Sequence, residues 1–356
     1  MVCSFLLRTL ACSCLVAGCA TEPISQVAST DGGPTYDAAV DATGDGSPSE
    51  AAAPHACTPL APRTSPVEVA VLPEAGEAPF VSVVDAAKTD VRVMVYQMGY
   101  GGILSSLEAK AAAGVNVRVV LDVSEKGTNQ KYFDSLTKAG ASVIWSDSKF
   151  PYMHAKVLIV DDAVAVISTG NYAKSFMLKE RNFVATDRDS EDVGNLARLF
   201  DADWKRENPE LSCTRLLVSP VNARARLLDF LKAAKGEILI ESMQFSDSEV
   251  RDIILERKLA GVTVRAILAD PAWVDANAKA AEPLKKAGID VRWLSTPGVH
   301  VKAVVVDHQN AYLGSENFSQ TSLSKNREVG LLVDEVKNID LMARTFETDW
   351  AAATKF

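Results

Sequence analysis

The sequence predicts an α/β protein built as two homologous halves, each a mixed sheet flanked by helices, packed about a pseudo-twofold axis. Two observations carry that expectation. The chain repeats itself: Gln97 returns as Gln244, Gly114-Val115-Asn116-Val117-Arg118 as Gly261-Val262-Thr263-Val264-Arg265, Ala139-Gly140 as Ala287-Gly288, and Asp203-Trp204 as Asp349-Trp350. Within each copy, short β-branched runs alternate with helical patterns, the mark of a sheet covered on both faces. In the first copy we expect strands at Val91–Tyr96, Val115–Asp122, Val143–Ser146, Lys156–Val160 and Ala163–Ser168, the last two joined by a turn at Asp161-Asp162. Helices are expected at Leu104–Ala113, Gln130–Ala139 and Val193–Trp204, and the second copy repeats the series. Trp204 and Trp350 close the last helix of each copy and read as core packing.

The halves are expected to span residues 67–212 and 213–356. Residues 1–18 are apolar apart from a few polar positions, carry Arg8, and are too short and interrupted to span a bilayer, which suits a signal peptide. That segment runs into Leu15-Val16-Ala17-Gly18-Cys19, which resembles the lipobox of bacterial lipoproteins. The resemblance implies lipid on Cys19, and Ala20 rather than Asp after it implies the outer membrane or its periplasmic face. Residues 19–66 are rich in Ala, Gly, Pro, Ser, Thr and Asp, cannot bury enough surface to offset their ordering entropy, and read as a tether. With Cys3, Cys12 and Cys14 in the signal, Cys57 and Cys213 remain, and export makes a disulfide between them plausible.

The net charge is −9, and beyond position 65 the balance is 35 basic against 40 acidic residues. A surface that grips nucleic acid by its phosphates usually carries a basic excess, so a nucleic-acid partner is disfavoured.

Two of the four histidines open the pattern His-x-Lys-x-x-x-x-Asp: His154, Lys156, Asp161 and His300, Lys302, Asp307. On a strand, side chains two residues apart face the same way, so each His and Lys point together. An Asn follows each Asp after a run of small residues, in Ser168-Thr169-Gly170-Asn171 and Gly314-Ser315-Glu316-Asn317, where a phosphate can approach closely and meet an amide donor. His55, in the tether, and His308, after the turn Asp, read as solvated.

This constellation resembles the phospholipase D superfamily over residues 67–356. The resemblance implies its two-halved fold, a phosphodiesterase site needing no cofactor or metal, and a covalent phosphohistidine formed by one His while the other protonates the leaving oxygen. Lys156, Lys302, Asn171 and Asn317 would neutralise the non-bridging oxygens, while Asp161 and Asp307 would be structural. An acidic group usually follows each motif. Glu328 fills that place in the second copy, but Asn182 stands at the matching position of the first. Reading each copy by itself pairs His300 with Glu328 as general acid and His154 with Asn182 as nucleophile. The expected reaction is phospholipase D hydrolysis of a phospholipid by an internally pseudo-dimeric monomer, with transphosphatidylation as a side path. Phosphatidyl transfer of the cardiolipin synthase kind, endonuclease action and a catalytically dead phosphate-binding lipoprotein are the alternatives. Met98, Tyr100, Ile103, Phe176 and Met177, near the motifs, could meet acyl chains or fill the core.

Overall fold

The computed structural model describes residues 62–211 and 214–356. The expected signal segment, Cys19, His55 and both partners of the expected Cys57–Cys213 disulfide lie outside these residues.

The first half runs β1 (Glu68–Leu72), α1 (Ala78–Asp85), β2 (Asp90–Val95), α2 (Gly102–Ala112), β3 (Asn116–Leu121), α3 (Lys126–Lys138), β4 (Ser142–Trp145), β5 (Lys156–Val160), β6 (Val164–Ser168), α4 (Lys174–Met177), β7 (Glu180–Asp187) and α5 (Ser190–Lys205). The second runs β8 (Leu216–Ser219), α6 (Ala223–Lys232), β9 (Glu237–Ser242), α7 (Ser248–Leu259), β10 (Thr263–Ala269), α8 (Ala276–Lys286), β11 (Asp290–Leu294), β12 (Gly298–Val299), β13 (Lys302–Val306), β14 (Asn310–Gly314), α9 (Gln320–Ser324), β15 (Glu328–Val333), α10 (Val336–Ala352) and β16 (Thr354–Lys355).

Each half forms a mixed sheet, in order β1-β7-β6-β5-β2-β3-β4 and β16-β11-β10-β9-β13-β14-β15-β8. In both, the three strands linked through helices run parallel, and the strand after the His-x-Lys motif lies antiparallel beside the first of them. Every residue of β5 and β13 is buried, so these strands read as continuous apolar runs. The inner faces of both sheets and helices α5 and α10 share one apolar core. Trp350 is buried in it and Trp204 packs against it, stacked on Phe346 and Phe200 respectively, as the sequence implied.

Six strands (β1, β7, β8, β12, β15 and β16) escape the sequence reading, and two of them matter most. β7, which opens on Glu180-Arg181-Asn182, looks too polar for a central strand, and β15 opens on Glu328 just after Arg327, yet β7 is buried throughout and β15 almost so. Their polar residues are matched by groups from the opposite half. Arg181 makes a bidentate pair with Asp349 at 2.6 and 3.0 Å and donates to Leu72 O at 2.7 Å. Its counterpart Arg327 pairs with Asp203 at 2.9 and 3.0 Å and donates to Ser219 O at 2.9 Å. The repeated Asp of each Asp-Trp pair is therefore a latch to the other half. β12, from the second half, adds to the first sheet beside β7. A single bridge from Met153 to Arg327 makes the matching contact on the other side.

The chain is also fixed earlier than the expected tether boundary at 66. Arg63 donates to Asp192 at 2.8 Å and to Leu332 O at 2.6 Å, and Thr64 N donates to Asp189 at 2.8 Å. The tether composition hid a basic residue that finds a buried carboxylate.

Asp161 and Asp307 bind backbone at longer range than a local turn. Both adopt the left-handed backbone that lets β5–β6 and β13–β14 reverse over three residues, which Asp tolerates. Asp161 accepts from the backbone N–H of Lys88, Thr89 and Asp90, and Asp307 from that of Lys235, Gly236 and Glu237. Each carboxylate thus clamps the entry to the parallel strand beside it. Burial pulls the Asp161 carboxyl upward, but these donors outweigh it and hold its pKa at about 2. His308 is half exposed, with Glu237 2.9 Å away.

Candidate active site

His154 and His300 each precede a buried strand by two residues, and their positions are set by the opposite half. His154 N donates to Arg327 O at 2.8 Å, and His300 N to Arg181 O at 3.2 Å. Both motifs therefore meet at the seam, where β5 and β6 of one half pack on β15 and β14 of the other.

The imidazole partners cross the seam too. His154 Nδ1 lies 2.8 Å from Glu328 Oε2, and His300 Nδ1 lies 3.3 Å from Asn182 Oδ1 and 3.1 Å from Thr169 O. The pairing read from each copy alone, His300 with Glu328 and His154 with Asn182, is corrected. A repeat shows which positions correspond, but in a pseudo-twofold assembly the nearer partner comes from the other copy. Acceptor oxygens at both Nδ1 atoms favour the tautomer with hydrogen on Nδ1, leaving each Nε2 for chemistry.

The two environments differ in charge. Glu328 is buried and also accepts from Asn326 Nδ2 at 3.0 Å. Burial pushes its carboxyl upward, but the charge and hydrogen bond of His154, with Lys156 nearby, reverse that and leave its pKa lowered. His300 Nδ1 instead meets neutral oxygens of Asn182 and Thr169, with the Lys302 ammonium 3.1 Å from it. The Tyr96 ring meets His154 edge-on at 4.7 Å, and the Trp273 ring lies 6.2 Å from His300.

Lys156 and Lys302 are fully buried, and each anchors its ammonium on the backbone carbonyl of its own motif His, at 2.7 and 2.8 Å. Asn171 and Asn317 are buried just beyond β6 and β14. Gly170 is needed where it stands: a Cβ there would lie 2.6 Å from the Asn182 amide carbon.

At the position matching Gly170, the second half carries Glu316, which the sequence reading passed over. It is fully buried, and Tyr312 Oη donates to its Oε2 at 2.5 Å. Gly314 and Gly330 leave the room, since a Cβ at either would overlap Tyr312 or Glu316. Burial first, and then the Glu328 charge, push the Glu316 carboxyl up to about 8. The signal was present in the repeat: Glu replaces Gly and Tyr312 replaces Val166 in the same copy.

A testable consequence follows for stability. The unfolded chain releases this proton near pH 4.5, while the folded chain keeps it to about pH 8. Between those values the native state binds more protons, so Glu316 subtracts stability as pH rises, up to about 1.4 kcal/mol per pH unit, and the loss is complete above pH 8. Glu316→Gln should therefore unfold at higher urea than the parent at pH 9, with a smaller gain at pH 5. Parallel stability curves for the two proteins across that range would refute the assignment.

The family profile described as "Cardiolipin synthase, PLD-like domain" matches residues 80–204 and again residues 227–350, one match per half. The chain belongs to the phospholipase D superfamily. Within this superfamily, a cardiolipin synthase of Alkalihalophilus pseudofirmus is 24% identical over 286 residues, covering 68% of this chain and 57% of the relative. The chain thus spans little more than half the length of that curated relative. A mitochondrial cardiolipin hydrolase of Homo sapiens is 30% identical over 130 residues, covering 36% of this chain and 51% of the relative. The crystal structure of phosphatidylserine synthase from Haemophilus influenzae shares the fold, with a TM-score of 0.60 at 14% identity over 82% of this chain and 87% of that one.

Proposed function

We propose that this phospholipase D superfamily enzyme is a phosphatidyltransferase that exchanges the headgroup alcohol of a phospholipid. Transfer takes precedence here over the simple hydrolysis expected from the motifs, because the named curated relatives are mostly cardiolipin synthases. The observation that carries the chemistry is the crossed pairing: one imidazole on a buried carboxylate, the other on an amide.

His154 is the nucleophile. As its Nε2 bonds to phosphorus the ring becomes cationic, and Glu328 at Nδ1 stabilises that charge. The phosphorus–oxygen bond to the headgroup breaks, and His300 Nε2–H gives its proton to the departing alkoxide. An imidazolium whose Nδ1 meets amide and carbonyl oxygens, with an ammonium nearby, is stabilised less than one on a carboxylate, and so gives up its proton more readily. In the second step an acceptor hydroxyl loses its proton to His300 while its oxygen bonds to phosphorus. The phosphorus–nitrogen bond then breaks, releasing a new diester and restoring both imidazoles. Lys156 and Lys302 supply positive charge to the phosphoryl oxygens.

Hydrolysis is the second reading, favoured by the likeness to the human cardiolipin hydrolase. The same intermediate serves both, and only the acceptor differs. A phospholipid vesicle assay with a rising concentration of glycerol or another primary alcohol separates them. Phosphatidyl alcohol should grow at the expense of phosphatidic acid. Phosphatidic acid as the sole product at every alcohol concentration would leave hydrolysis, and cleavage of DNA without headgroup release from any phospholipid would remove both.

A further inference from the structure

The five hydrophobic residues near the motifs, and Leu178 beside them, separate cleanly in the structure. Met98, Ile103 and Met177 are core, whereas Tyr100 is 69% exposed, Leu178 is 50% exposed, and Phe176 is half buried. These last three lie on one ridge. Lys174 N donates to Tyr100 O, and Leu178 N donates to Lys174 O, closing α4. Lys131, Lys174 and Lys179 are exposed along the same ridge, with the Lys131 ammonium 5.1 Å from the Tyr100 ring centroid. The nearby carboxylates are otherwise engaged: Glu77 accepts from Gly102 N at the start of α2, and Glu74 pairs with Arg181.

The ridge is continuous with the site. Gly99 N donates to the carbonyl of Tyr172, the residue after Asn171. Lys179 O accepts from Gly298 N, two residues before His300.

The duplication supplies an internal comparison. Where the first half shows Tyr100, the second has Asp247, buried, accepting from Glu249 N and Val250 N to cap α7, and paired with Arg224 at 2.7 Å. Where the first shows Leu178, the second has Ser324, whose Oγ lies 3.4 Å from the same Arg224. One backbone thus carries a closed polar network in one half and an exposed apolar ridge studded with lysines in the other. Folding does not require the apolar version, since Glu77 already caps α2.

We propose that this ridge docks the enzyme on an anionic phospholipid bilayer, placing the mouth of the site against its substrate. The inference rests on the phospholipid reading of function and adds the surface that presents the lipid. Tyr100, Phe176 and Leu178 enter the interfacial layer, and the lysines meet lipid phosphates. Among the described residues no helix is long and apolar enough to cross a membrane, and this contact is with the bilayer surface.

The test uses the full chain carrying Cys19→Ser, which removes the expected lipid anchor, and vesicles of equal parts phosphatidylglycerol and phosphatidylcholine. Two variants are compared in that background: Tyr100→Ser with Leu178→Ser, and Lys131→Gln with Lys174→Gln and Lys179→Gln. Each should weaken sedimentation with vesicles by at least roughly tenfold, since each surface lysine contributes about fivefold. Turnover on vesicles should fall in parallel, while turnover of a soluble diester, bis(p-nitrophenyl) phosphate, stays at the parent level. Binding of the parent should also drop on pure phosphatidylcholine and in high salt. Unchanged vesicle binding by both variants overturns the docking surface, as does loss of single-stranded DNA binding with vesicle binding intact. Ridge-dependent binding by a parent that turns over no phospholipid would support the surface while removing the phospholipid chemistry.

Discussion

Replacing His154 by Ala is expected to abolish the covalent phospho-enzyme and lower turnover by roughly 10⁴-fold or more. The crossed pairing makes the two histidines separable. His154 carries the charged orienting group, and His300 the neutral one. His300→Ala should cost about 10²–10⁴-fold on a phospholipid, whose alkoxide leaves poorly without a proton. On a p-nitrophenyl diester that loss should shrink for the first step, because p-nitrophenolate needs no proton. Labelled intermediate should then accumulate on His154, since no base remains to activate the acceptor. Acid-quenched reaction with labelled substrate, followed by peptide mapping, reads this directly. Label that persists in His154→Ala and disappears in His300→Ala would exchange the roles.

The second large effect concerns the latch between the halves. The Arg327 side chain is 2% exposed and that of its partner Asp203 5%. The guanidinium also lies 4.3 Å from the Phe150 ring centroid. Arg327→Ala removes the guanidinium paired with a buried carboxylate, a change that typically costs about 3–5 kcal/mol. Burial already pushes the Asp203 carboxyl upward, with Arg327 opposing it. In the variant Asp203 can take up a proton as pH falls, so the deficit should be largest at neutral pH and shrink toward pH 5. Arg327→Ala with Asp203→Asn should recover part of the loss at neutral pH. Urea unfolding measures each value, and a loss under about 1 kcal/mol for Arg327→Ala would show that the pair adds little. Arg181→Ala, at the equivalent latch to Asp349, should behave alike.

What could be read from the sequence follows a physical division. Each half's local order was legible: strands β5 and β6 fall within a residue of expectation, because a buried apolar run and an Asp-Asp turn are local signals. The paired His, Lys and Asn positions stood out because the duplication prints them twice. What failed is whatever depends on the other half. β7 reads as polar because Arg181 and Asn182 find their partners, Asp349 and His300, on elements more than a hundred residues away. The assignment of Glu328 to His300 failed for the same reason. Sequence distance favoured the partner 28 residues off, whereas the fold supplies one 174 residues off. Glu316 was overlooked because nothing in the linear pattern says that Gly314 and Gly330 hollow out a space for it.

That 174-residue separation also sets a timetable. When the first half has been synthesised and folded, His154 is already present, but the carboxylate that orients it has not yet been made. The same holds for His300, whose amide and carbonyl partners wait on the first half for a residue that only the second half supplies. Neither imidazole is armed until both sheets have closed on each other. A chain that stalls, or is clipped between its halves before the sheets close, therefore leaves its histidines without the partners that orient them. Competence is a property of the finished object, and the act of completing the fold is what switches it on.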